Sequence, residues 1–291
     1  GSKRRLGLRM AAELILIGIG LDGINGMTVD AINAAKNADF RFYESYTALW
    51  SDDALDGLKN EIGDISTVMR PEIEMPEKIL NLAKEHSVAV LVVGDPLQAT
   101  THVDLQLQAI ENGVDCKVIH GISITGLVTG AVGLSNYKFG RQTTLTYPYN
   151  GWVATSPLEV IALNKIQNLH TLVLLDLDPT GEGIGQQKPM QPQDAKVAFE
   201  LMAERLDSGI SDFANGSNLD LLKIEACRKI CENIDDMPVV LCTDMGGKNQ
   251  AITYTSVKGL ESCQNGGLHC IIVPASLSDV EETSLSRWSK E

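Results

Sequence analysis

The sequence predicts an α/β protein with two α/β domains, and three observations support this fold class. Short apolar runs of strand length alternate with amphipathic helical stretches over almost the whole chain. The 291 residues exceed one ordinary core and suit two domains of roughly 100–200 residues each. Hydrophobic residues make up 44% of the chain and charged residues 21%, which is typical of a globular protein. Because the strands alternate with helices, we expect mainly parallel sheets.

The apolar runs give the predicted strands, and the amphipathic stretches give the predicted helices. The predicted strands are Leu14–Gly18, Phe40–Glu44, Val88–Val93, Val114–His120, Thr143–Tyr147, Thr171–Leu177, Pro238–Cys242 and Cys270–Val273. The predicted helices are Thr28–Asn37, Glu77–His86, Thr101–Asn112, Pro157–Gln167, Ala195–Leu206, Leu219–Glu232 and Ser256–Gln264. Thr28, Thr100 and Ser156 are predicted N-caps, since their hydroxyls can accept from the first free amides of a helix.

No linker-like composition marks a domain boundary near the middle of the chain, so the glycine-rich turn His120–Gly133 is the best candidate. We expect a tag and N-terminal extension at residues 1–10, with Met10 as a candidate native start. An N-terminal α/β domain then covers residues 11–122, and a C-terminal α/β domain covers residues 123–291. The stretch Asp178–Asp194 has three glycines and three prolines, which predicts a surface loop.

Charge and cysteine usage exclude several classes of protein. The net charge is −14, from 24 basic and 38 acidic residues, which disfavours non-specific nucleic-acid binding and favours a neutral or cationic partner. Solubility is an equally good reason for the same acidity. The six cysteines lack the spacing of a disulfide framework or a zinc site, so we expect reduced thiols, a cytoplasmic protein and no metal. No apolar run approaches the roughly 18 residues that a membrane span needs.

The first glycine turn, Gly18-Ile-Gly20-Leu-Asp-Gly23, has the G-x-G-x-x-G spacing of a dinucleotide-binding turn after an apolar strand. Glu44 also lies about where such folds carry their ribose-binding acid. In those folds, however, the helix begins inside the fingerprint and its N-terminal amides hold the pyrophosphate. Here Asn25-Gly26 is a turn signal and Thr28 is the first plausible cap. We therefore predict a ligand-binding turn that does not hold a pyrophosphate, and we assign no ribose-binding role to Glu44.

A second turn, Gly94-Asp95-Pro96, follows the buried strand at Val88–Val93. Pro96 cannot donate to a sheet, Gly94 permits a close backbone approach, and Asp95 is left at the carboxyl end of the strand. Ligands of open α/β sheets bind at that edge. The turn is therefore a candidate ligand site, although Asp is also common in ordinary β-turns.

Several segments together resemble the diphthine synthase family in order and spacing, from about residue 13 to residue 274. Gly-Asp-Pro alone would indicate only the wider tetrapyrrole-methylase superfamily, whereas Gly-Asp-Pro-x-x-Ala-Thr-Thr-His is more selective. The matching segments are Gly18-Ile-Gly-Leu21, Glu44-Ser-Tyr-Thr47, Val93-Gly-Asp-Pro-Leu-Gln-Ala-Thr-Thr-His102, Val118-Ile-His-Gly-Ile-Ser-Ile124, Tyr137-Lys-Phe-Gly140 and Leu169-His-Thr-Leu-Val-Leu-Leu-Asp176.

The resemblance implies an S-adenosylmethionine-dependent methyltransferase that methylates the amino group of a modified histidine on translation elongation factor 2, a step of diphthamide biosynthesis. It also implies two α/β domains of the tetrapyrrole-methylase type with the cofactor cleft between them, and a homodimer. The cofactor contacts that it implies are Leu21, Asp95, Gln98, Ser123, Ile124, Leu175, Met245 and His269.

The sequence departs from the family pattern in two places. Asp244 stands where the family carries Arg, and Pro274-Ala-Ser-Leu-Ser278 replaces the family's closing Pro-Gly-x-x-His. The change at Asp244 concerns contact with the protein substrate, so an inactive cofactor-binding partner of the translation machinery stays open. Because the wider superfamily shares Gly-Asp-Pro, a tetrapyrrole methyltransferase stays open as well. We predict no catalytic side chain. His102 is interpreted as a packing or capping residue and His170 as structural, and a structural role is also open for His269.

Overall fold

The computed structural model describes residues 11–185 and 187–289. The predicted extension at residues 1–10 lies outside the described residues, as does Gln186 of the predicted loop. The described chain divides into two compact units. The first contains residues 11–123 and 182–185, and the second contains residues 124–181 and 187–289.

The first unit is built on a parallel sheet whose described strands have the order β3-β2-β4-β1-β5. Helices α1 and α2 precede β3, helices α3 and α4 lie between β3 and β4, and α5 connects β4 to β5. The strands are β1 (Glu13–Gly18), β2 (Phe40–Glu44), β3 (Ser66–Val68), β4 (Ser87–Val92) and β5 (Cys116–Ile119). The helices are α1 (Val29–Asn37), α2 (Asp52–Ile62), α3 (Arg70–Glu74), α4 (Glu77–Ala83) and α5 (Val103–Glu111).

Strands β1 and β4 are buried on both faces, which explains why they read as continuous apolar runs. Leu14 and Leu16 pack in the core cluster that includes residues of α3, α4 and α5. Ile15 and Ile17 pack in the cluster that includes residues of α1 and α2. Successive side chains of a strand point to opposite faces of the sheet, so alternate residues of one apolar run pack in two different core clusters.

Of the three predicted N-caps, Thr28 is confirmed, because its hydroxyl accepts a 3.0 Å hydrogen bond from the amide of Ala31. The other two are wrong. His102 and Thr155 occupy the N-cap positions of the helices that follow, without a side-chain cap from any described residue. The Thr100 hydroxyl donates to the carbonyl of Pro96 instead, so it stabilises the turn before the helix.

The second unit contains a mixed sheet with the order β6-β7-β10-β8-β9. Among its described strands only β6 and β7 run parallel, so the prediction of mainly parallel sheets is wrong for this unit. Strand β10 returns between β7 and β8 and runs antiparallel to both, a direction that an apolar run cannot reveal. The strands are β6 (Thr143–Leu145), β7 (Thr171–Leu175), β8 (Pro238–Thr243), β9 (Ala251–Ser256) and β10 (His269–Val273).

The helices of the second unit are α6 (Ile124–Ala131), α7 (Ser156–Ile166), α8 (Pro192–Gly209), α9 (Asn218–Glu232) and α10 (Asp279–Ser286). The helix predicted at Ser256–Gln264 is wrong. Strand β9 ends at Ser256, and only a short 3-10 helix, Lys258–Ser262, follows it. β9 pairs antiparallel with β8 and overlaps the predicted helix only at Ser256, so the helical pattern after it forms one short 3-10 segment and no α-helix.

The predicted surface loop Asp178–Asp194 contains no strand or helix among its described residues before α8 begins at Pro192. One of its side chains, Met190, is nevertheless buried in the core of the second unit. All six cysteines are free thiols. Within the described residues, no helix combines the length and apolar character needed to cross a bilayer, and no cluster of acidic, histidine or cysteine side chains could hold a metal ion.

Candidate active site

The two glycine turns of the first unit meet at the carboxyl edge of its sheet. Gly94 N donates to Gly20 O at 2.7 Å, and Gly20 N donates to Gly94 O at 3.2 Å. The helices that follow β1 and β4 pack on opposite faces, since α1 and α5 contribute to different core clusters. Two neighbouring strands with helices on opposite faces form a topological switch point, which is where open α/β sheets bind ligands.

Glycines allow the strand ends at this edge to lie unusually close together. A Cβ atom on Gly18 would lie 2.5 Å from Gly121 N and 2.7 Å from Gly94 O, so no side chain fits there. Gly94 itself has a φ of 74°, a conformation that L-residues rarely adopt. The ends of β1, β4 and β5 therefore present backbone to the switch point.

Asp95 is buried at this edge, and both of its carboxylate oxygens already accept hydrogen bonds. Oδ1 accepts from Leu97 N at 2.9 Å. Oδ2 accepts from His120 Nδ1 at 2.7 Å and from Gly121 N at 3.2 Å. The carboxylate thus ties the loop after β4 to the end of β5, so it shapes the backbone of the turn.

The other three predicted contacts of the first unit lie on the same loops. Leu21 follows the Gly20 bridge and is half-buried, and Gln98 is exposed, with its amide 3.3 Å from Asp95 O. Ser123 is half-buried, and its Cα lies 3.7 Å from where a Cβ on Gly94 would stand. Sequence and structure therefore bring Leu21, Asp95, Gln98 and Ser123 to one edge of one sheet.

In the second unit, Leu175 ends β7, Met245 follows β8 and His269 begins the antiparallel β10, so the three share one edge of the mixed sheet. Their side chains are not all brought together. Leu175 and Met245 are only 8% and 6% exposed and pack in different core clusters. Ile124 begins α6 and packs against the cluster of Met245.

Both ring nitrogens of His269 are engaged. Nδ1 lies 2.8 Å from Thr243 Oγ1 and Nε2 lies 3.1 Å from Gln191 Oε1. Since an amide oxygen only accepts, Nε2 carries the proton and Nδ1 accepts from the Thr243 hydroxyl. Burial lowers the pKa of His269, with opposing contributions from the Gly266 backbone and Asp244. The ring is therefore neutral near pH 7 and fixed in orientation.

Asp244 follows β8 and closes the ends of β8 and β10. It has a φ of 46°, which Asp tolerates better than most residues. Its amide donates to Leu268 O at 2.8 Å, and its Oδ1 accepts from Leu268 N at 2.9 Å. Asp244 thus has a structural use in this chain, because its short acidic side chain satisfies the backbone of the turn.

Two histidines for which the sequence predicted no catalytic role are buried and lie against glutamates. His102 occupies the N-cap position of α5, is 1% exposed and places Nε2 at 2.9 Å from Glu44 Oε2. His170 is fully buried, with Nε2 at 2.8 Å from Glu281 Oε2. The sequence did not predict either glutamate as a histidine partner. Glu281 is distant from His170 in the sequence, whereas Glu44 and His102 both stand in motifs that match the family, which was the available signal for their pairing.

The second unit also has a cavity of about 720 Å³. It is lined by residues of α7, α9 and the loop after β10, among them Lys165, Lys229 and Pro274. None of the predicted site residues lines it in the described part of the chain. The cavity is therefore not formed by the residues that the sequence predicted for the cofactor site.

Comparison with known proteins decides the family. Residues 13–261 match the family model of the Tetrapyrrole (Corrin/Porphyrin) Methylases. A diphthine synthase from Methanospirillum hungatei JF-1 is 31% identical over 280 residues, which are 95% of this chain and 98% of that protein. One from Methanocorpusculum labreanum is 31% identical over 279 residues, covering 95% of this chain and 98% of that protein. The chain belongs to the diphthine synthase family.

A solved structure supports the same family. The crystal structure of a candidate diphthine synthase from Entamoeba histolytica is similar to this chain with a TM-score of 0.76 and 27% sequence identity. The match covers 97% of this chain and 100% of that one. The chain is therefore a methyltransferase of diphthamide biosynthesis with the predicted α/β fold. The two other functions that the sequence left open, a tetrapyrrole methyltransferase and an inactive partner, are not favoured.

Proposed function

We propose that this protein transfers the methyl group of S-adenosylmethionine to the amino group of the modified histidine intermediate on translation elongation factor 2. The observation that carries the cofactor assignment is the switch point at Gly20 and Gly94. It offers backbone groups at a strand edge, and α1 begins only at Val29, too late to direct its amides at a pyrophosphate. A cofactor without a pyrophosphate fits this arrangement.

The residues present fit the two kinds of surface that this cofactor has. Its polar edge would be held by the Ser123 hydroxyl and by backbone groups of the loop that contains Gln98. Leu21 and Ile124 would contact its apolar parts. For the buried Leu175 and Met245, contact through the backbone fits better than contact through the side chain. His269, with both nitrogens engaged, would supply a ring face. Asp95 would act indirectly, by holding the loop in shape.

When bound, S-adenosylmethionine supplies an activated methyl group on a sulfonium, together with its own leaving group. The protein then needs to orient a neutral amine in line with the methyl carbon and to exclude water from the reacting atoms. The chain's net charge of −14 favours a cationic partner. A cationic amine would lose its proton to water or to a nearby carboxylate before it reacts.

Incubation with radiolabelled S-adenosylmethionine and elongation factor 2 bearing the unmethylated intermediate tests the proposal. We expect label on the factor. Cofactor binding without transfer would indicate the inactive-partner function, and label only on a tetrapyrrole offered in parallel would indicate the other alternative. Mass spectrometry of the labelled factor then counts the methyl groups and detects any methyl ester.

Replacement of Asp95 by Asn tests the cofactor site. Asn lacks one acceptor oxygen for His120 and Gly121, so the loop loses its fixed shape and calorimetry should detect cofactor affinity about tenfold or more weaker. Asp115→Asn is a matched control, since Asp115 is an exposed acid just before β5. Unchanged affinity and turnover in Asp95→Asn would contradict the role given to Asp95.

The family also suggests a homodimer in the cytoplasm. Light scattering tests the assembly, since a dimer has twice the 31.5 kDa mass of one chain. Fractionation of cells that express the native chain tests the location. A monomer that turns over normally would remove the homodimer from the proposal and leave the reaction untouched.

A further inference from the structure

Three buried polar atoms without a hydrogen-bond partner lie in one cluster of the first unit, which we call the Tyr46 cluster and define as Tyr46, Arg70 and His102. The described residues contain six such side-chain atoms in all. Tyr46 Oη, Arg70 Nε and His102 Nδ1 are half of them. The three side chains are in contact: the Arg70 guanidinium lies 5.4 Å from the centroid of the Tyr46 ring. The rings of Tyr46 and His102 pack edge to face with centroids 6.2 Å apart.

Such atoms are costly to leave unpaired. A buried donor or acceptor without a partner costs about 1–3 kcal/mol, so each such atom in a native protein calls for a partner such as a ligand, an ion or an ordered water. Three of them in one contiguous stack indicate a place where a polar ligand supplies the missing hydrogen bonds. The other three atoms belong to Ser87, Gln193 and Asp235 and are spread over both units.

The cluster lies at the same carboxyl edge as the glycine turns. Tyr46 follows β2, Arg70 follows β3, and His102 ends the loop that leads from β4 into α5. In the order β3-β2-β4-β1-β5, β4 forms the switch point with β1, β2 is the neighbour of β4, and β3 lies one strand further out on the same sheet. A group bound at the cluster would therefore lie beside the cofactor turns of the same unit.

Glu44 orients the His102 ring, and both of its own carboxylate oxygens already accept hydrogen bonds from the protein. Its Oε1 accepts from Tyr46 N at 2.8 Å and from Thr47 N at 2.9 Å. Its Oε2 accepts from the Thr47 hydroxyl at 2.6 Å and from His102 Nε2 at 2.9 Å. Since a carboxylate holds the Nε2 proton, the lone pair of His102 is on Nδ1. The carboxylate fixes the tautomer, and Nδ1 is left as an acceptor.

Arg70 gives the cluster a route to solvent. Its side chain is 42% exposed, although Nε is buried, and the nearest carboxylate oxygen, Glu74 Oε1, lies 3.9 Å from Nε. Gly183 covers the other side, because its carbonyl accepts from Arg70 N at 3.1 Å and a Cβ there would lie 2.8 Å from Nε. Burial, and next the charge of Glu44, raise the pKa of Tyr46 above its usual range, so the phenol remains a hydrogen-bond donor.

We propose that the Tyr46 cluster binds the head group of the methyl acceptor, an amine with a neighbouring carboxylate. Arg70 Nε–H and Tyr46 O–H donate to the carboxylate, and His102 Nδ1 accepts a hydrogen bond from the amine. The inference rests on the proposed function, which makes an amine the acceptor. The methionine end of the cofactor has the same two groups, so the test must separate the two sources.

Tyr46→Phe and Tyr43→Phe form a matched pair, since both tyrosines are buried and lie close together in the sequence. The Tyr43 hydroxyl accepts from Trp50 N at 2.9 Å, so its loss should lower stability and leave the KM values unchanged. The Tyr46 hydroxyl has no partner in the described residues, so its loss should leave the urea midpoint unchanged or higher. The KM for the acceptor should rise about tenfold or more, with cofactor affinity unchanged. His102→Gln, which can still donate to Glu44, should raise the same KM.

Each other outcome overturns the inference. If cofactor affinity falls in Tyr46→Phe, the cluster holds the methionine end of the cofactor. If the variant loses stability as Tyr43→Phe does and keeps its KM, the hydroxyl is structural. If the wild-type protein methylates the factor and Tyr46→Phe and His102→Gln keep its KM for the acceptor, this inference is wrong and the proposed function stands. Absence of label on the factor with the wild-type protein removes the proposed function as well.

Discussion

Each unit of the molecule contains a buried histidine–glutamate pair. The two pairs differ in whether Nδ1 of the histidine has a hydrogen-bond partner. His102 and Glu44 in the first unit are 2.9 Å apart, and His170 and Glu281 in the second are 2.8 Å apart. In the second pair, His170 Nδ1 accepts from Ala275 N at 2.9 Å. In the first, His102 Nδ1 has no partner among the described residues.

The carboxylates also differ in their surroundings. Glu281 accepts from Lys138 Nζ at 2.6 Å and from the amides of Ser135 and Ser278. Burial alone would raise the pKa of Glu281, but these hydrogen bonds and the one from His170 outweigh it and hold the pKa well below its usual range. Burial lowers the pKa of His170, with Glu281 opposing. The second pair is complete within the protein, whereas the first leaves an acceptor for something else. A complete cluster stabilises a fold, and an incomplete one can bind a ligand.

The largest effect is expected from breaking the complete pair. Glu281→Ala would leave Lys138, His170 and two amides without their acceptor, and the free energy of unfolding should fall by about 3–5 kcal/mol. Urea unfolding at neutral pH measures the loss. Glu282→Ala, an exposed neighbour on α10, should stay within about 0.5 kcal/mol. Equal losses of unfolding free energy in the two variants would show that the hydrogen bonds of Glu281 contribute no more to stability than an exposed glutamate does.

Acid should act on the same pair. Because the folded pKa of Glu281 is lowered, its contribution is present above the unfolded pKa of about 4.3 and is lost as the pH falls below it. Below that pH the wild-type protein should lose up to about 1.4 kcal/mol per pH unit more than Glu281→Ala does. Unfolding curves between neutral and strongly acidic pH check this, and parallel curves would contradict it.

The same substitution in both histidines compares the pairs directly. His170→Gln removes the acceptor of Ala275 N and should cost about 1–3 kcal/mol. His102→Gln can keep its donation to Glu44 and loses no other hydrogen bond within the described residues, so it should cost about 1 kcal/mol or less. Thermal unfolding of both variants in one buffer measures the two stability losses. A larger loss of stability for His102→Gln would contradict the prediction.

The smallest effect is expected from a third pair, His120 and Asp95, whose atoms are only 2.7 Å apart. The His120 side chain is 70% exposed, so solvent screens the interaction, and His120→Gln should change stability by less than about 1 kcal/mol. Differential scanning calorimetry of His120→Gln and the wild-type protein measures this small difference in stability. A loss as large as that of His170→Gln would mean that burial does not separate these pairs.

The sequence predicted the fold where a segment's own pattern is sufficient. The run at Leu14–Gly18 is apolar on both faces because it lies at the centre of a sheet, and Thr28 caps its helix by a contact three residues away. The direction of β10 and the strand β9 were missed, because pairing across the sheet decides both. Gly94-Asp95-Pro96 predicted a strand end, but the use of both Asp95 oxygens depends on His120 and Gly121.

The same limit applies to the site. Glu44 and His102 stand in motifs that the sequence made visible, yet their contact spans 58 positions of the chain. Arg70 was not singled out, since a surface arginine in a short helix carries no local signal. The missing hydrogen bonds of the Tyr46 cluster appear only when all side chains are in place.

The contact between Arg70 and Gly183 has a consequence for how the chain matures on the ribosome. Residues 182–185 belong to the first unit but are synthesised after residues 124–181 of the second unit. The nascent first unit therefore exposes Arg70 until that late segment arrives. A protein truncated shortly before residue 182 would contain residues 11–123 of the first unit and lack the segment that contacts Arg70.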